Sequence, residues 1–206
     1  MKESIYPESL TTFQRILDSV GRCVELESRL PAWPFTAPTG YVSACEYDDA
    51  IEGPFGPVLR SLADTYGDRQ VSLVVLDPSP QYYRDNYGSY PAFSIAVERL
   101  VSYWDVVAYE PGDDPTGAVI FTANTVAIVG DSGKWAVWEE RWWGIALLLT
   151  SFKDGPWTGQ EVEFFDAHDA LAWFAEPPQS EQLDPEVRRI LLSNIQLRGS
   201  GPTPSM

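Results

Sequence analysis

The densest run of carboxylates in the sequence is Glu46, Asp48, Asp49 and Glu52. Hard cations such as Ca²⁺ and Mg²⁺ prefer oxygen ligands, so a run of this kind raises the question of a metal site. A calcium loop also needs a central glycine and a distal glutamate, and neither occurs at the required place. We therefore predict a solvated acidic loop that contributes to partner binding, with no metal ion and no cofactor.

A tyrosine-rich segment over residues 81–91 is the second candidate site. Tyrosine and arginine are favoured at protein interfaces because they offer a large contact area. The residues of this segment predicted to bind a partner are Tyr82, Tyr83, Arg84, Tyr87 and Tyr90. The alternative interpretation is a short helix whose tyrosines pack on a sheet.

Two patterns that resemble catalytic motifs favour structural roles instead. Gly130-Asp131-Ser132-Gly133 matches the string around a serine-protease nucleophile, but it lies between two predicted strands, where it is typical of a hairpin turn. The only histidine, His168, is predicted in the first turn of a helix and has no partner motif. We assign no catalytic residue, and the sequence favours a non-enzymatic protein.

Only two cysteines occur, Cys23 and Cys45, and they do not form a CxxC pair. A zinc site is therefore not indicated, and two buried, reduced thiols are the simplest interpretation, although a single disulfide is also compatible with the sequence. The chain carries no phosphate-binding glycine loop and no nucleophile elbow.

The formal net charge is −16, spread along the folded part of the chain rather than held in a tail. Binding to a nucleic acid needs clustered lysine and arginine, so this distribution argues against a nucleic-acid partner. It argues equally against an anionic membrane surface. A basic protein would be attracted and steered by the same charge. Simple solubility is the other explanation of the charge.

The length of 206 residues and an apolar content of 44% fit one globular domain, which we place at residues 1–198. Residues 199–206 have no means of burying apolar surface, so we expect a disordered tail. No apolar run approaches the roughly 20 residues that cross a bilayer, and no secretory signal is recognisable. We expect a cytoplasmic protein, whose oligomeric state the sequence does not indicate.

The periodicity predicts an α+β fold in which helices pack on a mostly antiparallel sheet of six to eight strands. The clearest section is a meander at 118–150, with strands at 118–123, 125–129, 134–140 and 143–150. The nearly all-apolar stretch Val71–Leu76 predicts a strand covered on both faces. Strands are also predicted at 24–30, 41–47 and 91–97.

Helices are predicted at 9–20, after residues 53–57, at 98–109, at 166–175 and from residue 184 onward. Gly21 is expected to end the first helix in the left-handed conformation, and Gly67 is expected to end the second helix. Trp104 and Val101 are expected to face the core.

In overall make-up the chain is similar to small acidic bacterial immunity and inhibitor proteins, a likeness that rests on charge and composition and on no motif. We therefore predict a protein-binding module that engages a basic protein partner. The alternative is a carboxylate-based, possibly metal-dependent hydrolase built around residues 46–52. A scaffold domain that binds no ligand is a third possibility.

Overall fold

The structure is a computed structural model, and it describes residues 5–37, 39–167, 169, 185–199 and 201. Seven helices are described by bounds: α1 Leu10–Val20, α2 Tyr47–Ile51, α3 Phe55–Tyr66, α4 Pro80–Tyr87, α5 Tyr103–Val107, α6 Val119–Thr122 and α7 Pro185–Arg198. A 3₁₀ helix over Val97–Ser102 precedes α5. Short 3₁₀ turns cover Pro111–Asp113, Pro115–Gly117, Arg141–Trp143 and Pro156–Gly159.

Seven strands form one sheet: β1 Tyr41–Glu46, β2 Gln70–Asp77, β3 Ala92–Ala96, β4 Thr125–Gly130, β5 Ala136–Glu140, β6 Ile145–Thr150 and β7 Phe165–Asp166. The strand order is β3-β2-β4-β5-β6-β1-β7, and every pairing is antiparallel. The predicted α+β fold with an antiparallel sheet and packed helices is confirmed.

Both faces of the sheet are buried, because helices cover each side. In β2, Val71, Leu73 and Val75 belong to the apolar cluster on the α3 face. Val74 and Leu76 belong to the cluster on the α1 face. Successive side chains of a strand point to opposite faces of the sheet, so a strand packed on both faces needs apolar residues at nearly every position. The prediction that β2 is covered on both faces is confirmed.

The meander consists of β4, β5 and β6, joined by tight turns, and its predicted first strand is wrong. Residues 119–122 form α6, in which the amides of Phe121 and Thr122 both donate to the carbonyl of Ala118. Apolar β-branched residues suggested a strand, but this segment has no neighbouring strand to pair with. Instead it makes a single helical turn that leads into β4.

The predicted strand at 24–30 is also wrong. Only Val24 pairs, as an isolated bridge to Phe35, and the chain then turns, since the amide of Ser28 donates to the carbonyl of Glu25. The alternation of apolar and polar residues arises from successive turns whose apolar side chains, including Leu30, are buried. A pattern this short does not distinguish a strand from a series of turns.

The two helix-ending glycines differ from each other. Gly67 ends α3, as predicted, and the structure shows it in the left-handed conformation, with φ of 74°. Gly21 follows α1 with φ of −64°, an ordinary helical value, so the prediction for this residue is wrong. The expectation that Val101 and Trp104 face the core is wrong as well, because their exposed fractions are 89% and 46%.

The chain beyond β7 is described only in part. His168 and most of the helix predicted at 166–175 lie outside the described residues, whereas α7 lies where a final helix was predicted. Of the predicted tail, Gly199 and Gly201 are described, and both hydrogen-bond to the backbone around β1. Within the described part of the chain, no helix combines the length and the apolar character needed to cross a membrane.

Candidate acidic binding end

One end of the sheet collects the segments of interest. Antiparallel pairing places the last residues of β1, β2 and β5 beside the first residues of β3, β4 and β6. The connecting segments 46–54, 77–90 and 141–144 therefore meet at this end, and residues 103–124 lie against them. We call these four segments together the acidic end. The buried residues Glu139 and Glu140, which precede the segment 141–144 in β5, are not part of it.

The acidic end concentrates negative charge. Its carboxylate residues are Glu46, Asp48, Asp49, Glu52, Asp77, Asp85, Asp105, Glu110, Asp113 and Asp114. Only two bases belong to it, Arg84 and Arg141. The guanidinium of Arg141 is turned inward, where it donates to the carbonyls of Ile120 and Ala123 at 2.8 Å each. Within these four segments the surface therefore carries little compensating positive charge, and Arg29 lies beside them, where it donates to the carbonyl of Leu76 at 3.3 Å.

The tyrosine-rich segment forms α4. Ser79 caps this helix by accepting the amide of Tyr82, and Pro80 starts it with a suitable φ. Tyr83 points into the core and is fully buried, whereas Tyr82 is 43% exposed. Tyr83 therefore fits the alternative interpretation, in which tyrosines of a short helix pack on the sheet. Tyr82 is the tyrosine of this pair that a partner can reach.

The other residues predicted in this segment lie at the end of α4. Arg84 donates to the carbonyl of Gly88 and lies 5.6 Å from the ring centre of Tyr90. Tyr90 is half-buried and stacks on Phe13 at 4.6 Å. Tyr87 donates its hydroxyl proton to the carbonyl of Thr116 at 3.1 Å. Arg84 and Tyr87 are half-buried, and both border the groove described below.

The acidic run forms the end of β1 and the short helix α2. Glu46, Asp48 and Glu52 are exposed and Asp49 is half-buried, so all four remain accessible to some degree. Among the described residues, no three histidine, cysteine, aspartate or glutamate side chains lie close enough together to hold a metal ion. These carboxylates present a charged surface rather than a convergent site.

A network through α6 connects the acidic run to the tyrosine-rich segment. Tyr47, which starts α2, donates to the carbonyl of Ala123 at 2.7 Å, and Arg141 lies 4.8 Å from the centre of its ring. On the other side, Thr122 donates to the carbonyl of Thr116, which also accepts from Tyr87. The two predicted segments are therefore linked to each other through hydrogen bonds to α6 and the residues that flank it.

Sequence reasoning missed most of the exposed aromatic side chains of this end. Trp142 is 77% exposed, Phe121 65% and Trp104 46%. Phe121 and Trp142 are neighbours in the fold, because Arg141 donates to the carbonyls on both sides of Phe121. Trp143, which follows Trp142 in the sequence, is buried, so the two adjacent indoles lie in opposite environments.

A groove of about 1120 Å³ opens at this end between the end of α4, the segment around Glu8, and the chain from Trp104 to Asp113. Four exposed carboxylate residues line it: Glu8, Asp105, Glu110 and Asp113. Among the lining residues that the structure describes, Arg84 is the one base. We call it the acidic groove. Apart from the adjacent aspartates at 113 and 114, no local pattern in the sequence indicated it, because its walls come from three distant segments.

Beneath the acidic end lies a carboxyl group in an unusual environment. Glu139 of β5 is fully buried, and neither of its oxygens has a hydrogen-bond partner. Burial raises the pKa of this carboxyl to about 8, although the positive charge of Arg141 acts in the opposite direction. The same carboxyl helps burial to raise the pKa of the Cys45 thiol, which lies two strands away on the same face.

The remaining candidates of the sequence are structural. Gly130-Asp131-Ser132-Gly133 forms the turn between β4 and β5, as predicted, and Asp131 accepts the amide of Arg69 at 2.9 Å. Cys23 and Cys45 are both buried and unbridged. The simplest interpretation of the two cysteines, buried thiols, describes what the structure contains.

Comparison with known proteins adds no relative. No protein-family model matches the chain, and neither the curated proteins nor the solved structures include one similar to it.

Proposed function

We propose that this protein is a non-enzymatic binding module of the immunity or inhibitor type, which engages a basic protein partner through the acidic end. One observation carries the proposal. Exposed carboxylates gather at one end of the sheet beside three exposed aromatic side chains, Trp104, Phe121 and Trp142. Charge and exposed aromatic area together are the features of a surface that binds a charged protein partner.

The two components of this surface have separate roles. The carboxylates create a negative potential that accelerates the approach of a basic protein and excludes acidic ones. The aromatic side chains supply contact area, because a tryptophan buried at an interface contributes more to affinity than most other residues. Exposed indoles are costly in water, so a partner that covers Trp142 and Phe121 gains apolar burial in addition to charge pairing.

A carboxylate-based hydrolase is the weaker candidate. The observation in its favour is Glu139, since a pKa of about 8 suits a general acid at neutral pH. However, the Glu139 side chain has no exposed surface, and the carboxylates of 46–52 do not converge on a common point. We therefore place partner binding first.

The test begins with affinity capture from a lysate of the source organism, identification of the captured protein and its separate purification. Binding of the purified pair is then measured by calorimetry from 50 to 500 mM NaCl. We expect a basic partner whose dissociation constant rises by about tenfold or more over this range, because salt screens exposed charges. An acidic partner, or an affinity that does not change with salt, would contradict the proposal.

A further inference from the structure

The acidic groove has walls that the fold fixes independently. The segment around Glu8 is held in place because the amide of Tyr90 donates to the carbonyl of Pro7 at 2.9 Å. The opposite wall is held by α5, whose Tyr103 is buried and donates to the carbonyl of Ala50 at 3.2 Å. The groove is therefore formed before any partner arrives, which lowers the conformational cost of binding.

The four carboxylates of the groove are not engaged by other side chains or backbone groups of the described chain. Within the described part of the chain, none of the four forms a hydrogen bond or an ion pair through its side chain. Arg84 forms no ion pair with them, since its guanidinium donates to the carbonyl of Gly88 and lies against Tyr90, and its one positive charge offsets only one of the four negative charges. The groove thus retains a surplus of negative charge between two walls.

A buried hydroxyl in the wall of the groove provides a second, independent indication of a ligand. Ser89 lines the groove and is only 3% exposed, yet its Oγ atom has no hydrogen-bond partner. A buried hydroxyl without a partner costs free energy, which a ligand that donates a hydrogen bond would recover. Guanidinium and ammonium groups are such donors.

An indole borders the same space. Trp104 lines the groove and is 46% exposed, and it lies against Gly53 at the start of α3. Tryptophan is the aromatic side chain that attracts a cation most strongly through its ring face. The groove therefore combines free carboxylates, an indole and an unsatisfied hydroxyl, which are three groups that recognise a cationic side chain.

We propose that the acidic groove binds an extended segment of the partner that carries arginine or lysine, with one cationic side chain between Trp104, Asp105 and Ser89. This inference rests on the proposed function and specifies which part of the acidic end forms the primary contact. The remaining carboxylates, including those of α2, then act by long-range attraction.

The test uses a fluorescein-labelled nonapeptide in which glycine alternates with arginine and lysine, and a control peptide with glutamate in place of each base. Fluorescence anisotropy measures binding to the full chain and to two groove variants, Trp104→Ala and the double variant Asp105→Asn/Glu110→Gln. Two matched variants alter exposed residues outside the acidic end: Phe152→Ala and Glu27→Gln/Glu98→Gln. Circular dichroism verifies that each variant is folded.

We expect the basic peptide to bind and the acidic one not to bind. Each groove variant should raise the dissociation constant roughly fivefold or more, while the matched variants change it less than about twofold. Ser89→Ala, which removes only the hydroxyl oxygen, should weaken binding by about threefold.

Equal losses in the groove variants and the matched variants would overturn the inference, because the peptide would then respond to the overall charge alone. The proposed function would survive that result, since it is judged by the salt dependence of the captured partner. Absence of binding by the basic peptide, or equal binding of both peptides, would also overturn the groove assignment.

Discussion

The two ends of the sheet use carboxylates in different ways. The opposite end comprises the segments 64–70, 97–99, 130–135 and 150–155 together with Arg22, and its acids and bases are equal in number. Its acids are Asp64, Asp68, Glu98, Asp131 and Asp154, and its bases are Arg22, Arg69, Arg99, Lys134 and Lys153. At the acidic end, ten carboxylate residues face two arginines. The acidic end therefore carries a net charge of −8, half of the −16 of the chain, whereas the opposite end is close to neutral.

Buried carboxyls of this fold differ in whether donors reach them, and Glu140, next to Glu139, accepts from the amide of Leu30 at 2.7 Å and from the indole of Trp138 at 2.9 Å. Asp68, at the opposite end, accepts hydrogen bonds from the amide of Ser132 and from the indole of Trp135, the latter at 2.7 Å. Glu139, beneath the acidic end, accepts none. A carboxylate with two donors contributes to the fold, whereas one without donors weakens it when ionised. The comparison shows that the fold supplies donors to Asp68 and none to Glu139, so the two carboxyls should affect stability in opposite ways.

The largest expected effect concerns Glu139. Its pKa in the folded protein, about 8, exceeds the ordinary value of 4.5, so the folded state binds the proton more tightly than the unfolded state. The stabilisation is complete below pH 4.5 and is lost as the pH rises toward 8. The free energy of unfolding should therefore fall by about 3 to 4 kcal/mol from pH 5 to pH 8 through this group.

Urea unfolding of the wild type and of Glu139→Gln at several pH values measures this effect. The glutamine side chain does not titrate, so the stability difference between the two proteins should shift in favour of the variant as the pH rises. Parallel pH profiles would show that Glu139 is not the buried, unpaired group described above.

A slightly smaller effect is expected for Asp68 at the opposite end. Asp68→Ala leaves the buried indole NH of Trp135 without its acceptor and removes the bond to the turn at 131–133. We expect a loss of about 3 kcal/mol in the free energy of unfolding. Thermal and urea denaturation at pH 7 test this, with Asp64→Ala, an exposed residue nearby, as the control. A loss no larger than that of the control would remove the contrast between the two buried carboxyls.

Charge reversal tests the contrast between the surfaces. The triple variant Asp48→Lys/Glu52→Lys/Asp105→Lys should weaken binding of the basic partner by about 100-fold, because it replaces attraction with repulsion. The variant Glu27→Lys/Glu98→Lys/Asp154→Lys has the same net charge and alters exposed residues away from the acidic end. We expect it to weaken binding by less than about fivefold, measured by surface plasmon resonance. Equal effects would mean that total charge, and not its position, determines affinity.

The smallest effect on stability is expected for the exposed aromatic side chains. Trp142→Ala should change the free energy of unfolding by less than about 0.5 kcal/mol, since the side chain is 77% exposed. Trp135→Ala, at the opposite end, should destabilise by about 4 kcal/mol, because that indole is buried and hydrogen-bonded. Thermal denaturation compares the two variants. A large loss for Trp142→Ala would mean that this residue supports the fold and is not reserved for a partner.

Sequence periodicity predicted the parts of the fold in which a local pattern determines the structure. The apolar stripe of α1, the doubly buried β2 and the three tightly connected strands β4 to β6 all carry such patterns. The errors, at 24–30 and 118–123, occurred in short apolar stretches where the presence or absence of a neighbouring strand decides the conformation. That information is not local, so neither segment could be assigned from its own residues.

The site was predictable to a smaller extent. The acidic run and the tyrosine-rich segment were identified from local composition, and the structure places both at one end of the sheet. The groove was not, because Glu8, Ser89 and Trp104 are far apart in the sequence and no pattern links them. The helical spacing of 98–109 predicted that Trp104 faces the core. This prediction was wrong because the periodicity of a short helix does not reveal which of its residues are covered by other parts of the protein.

The way in which one edge of the sheet is covered has a consequence for self-association of the protein. An uncovered strand edge offers free amide and carbonyl groups to another chain. Along the outer side of β1, the two residues of β7 pair with Ser43 and Ala44, and the backbone of Gly199 and Gly201 bonds to Val42 and Gly40. These few backbone hydrogen bonds cover an edge of the sheet that could otherwise pair with a strand from another copy of the chain.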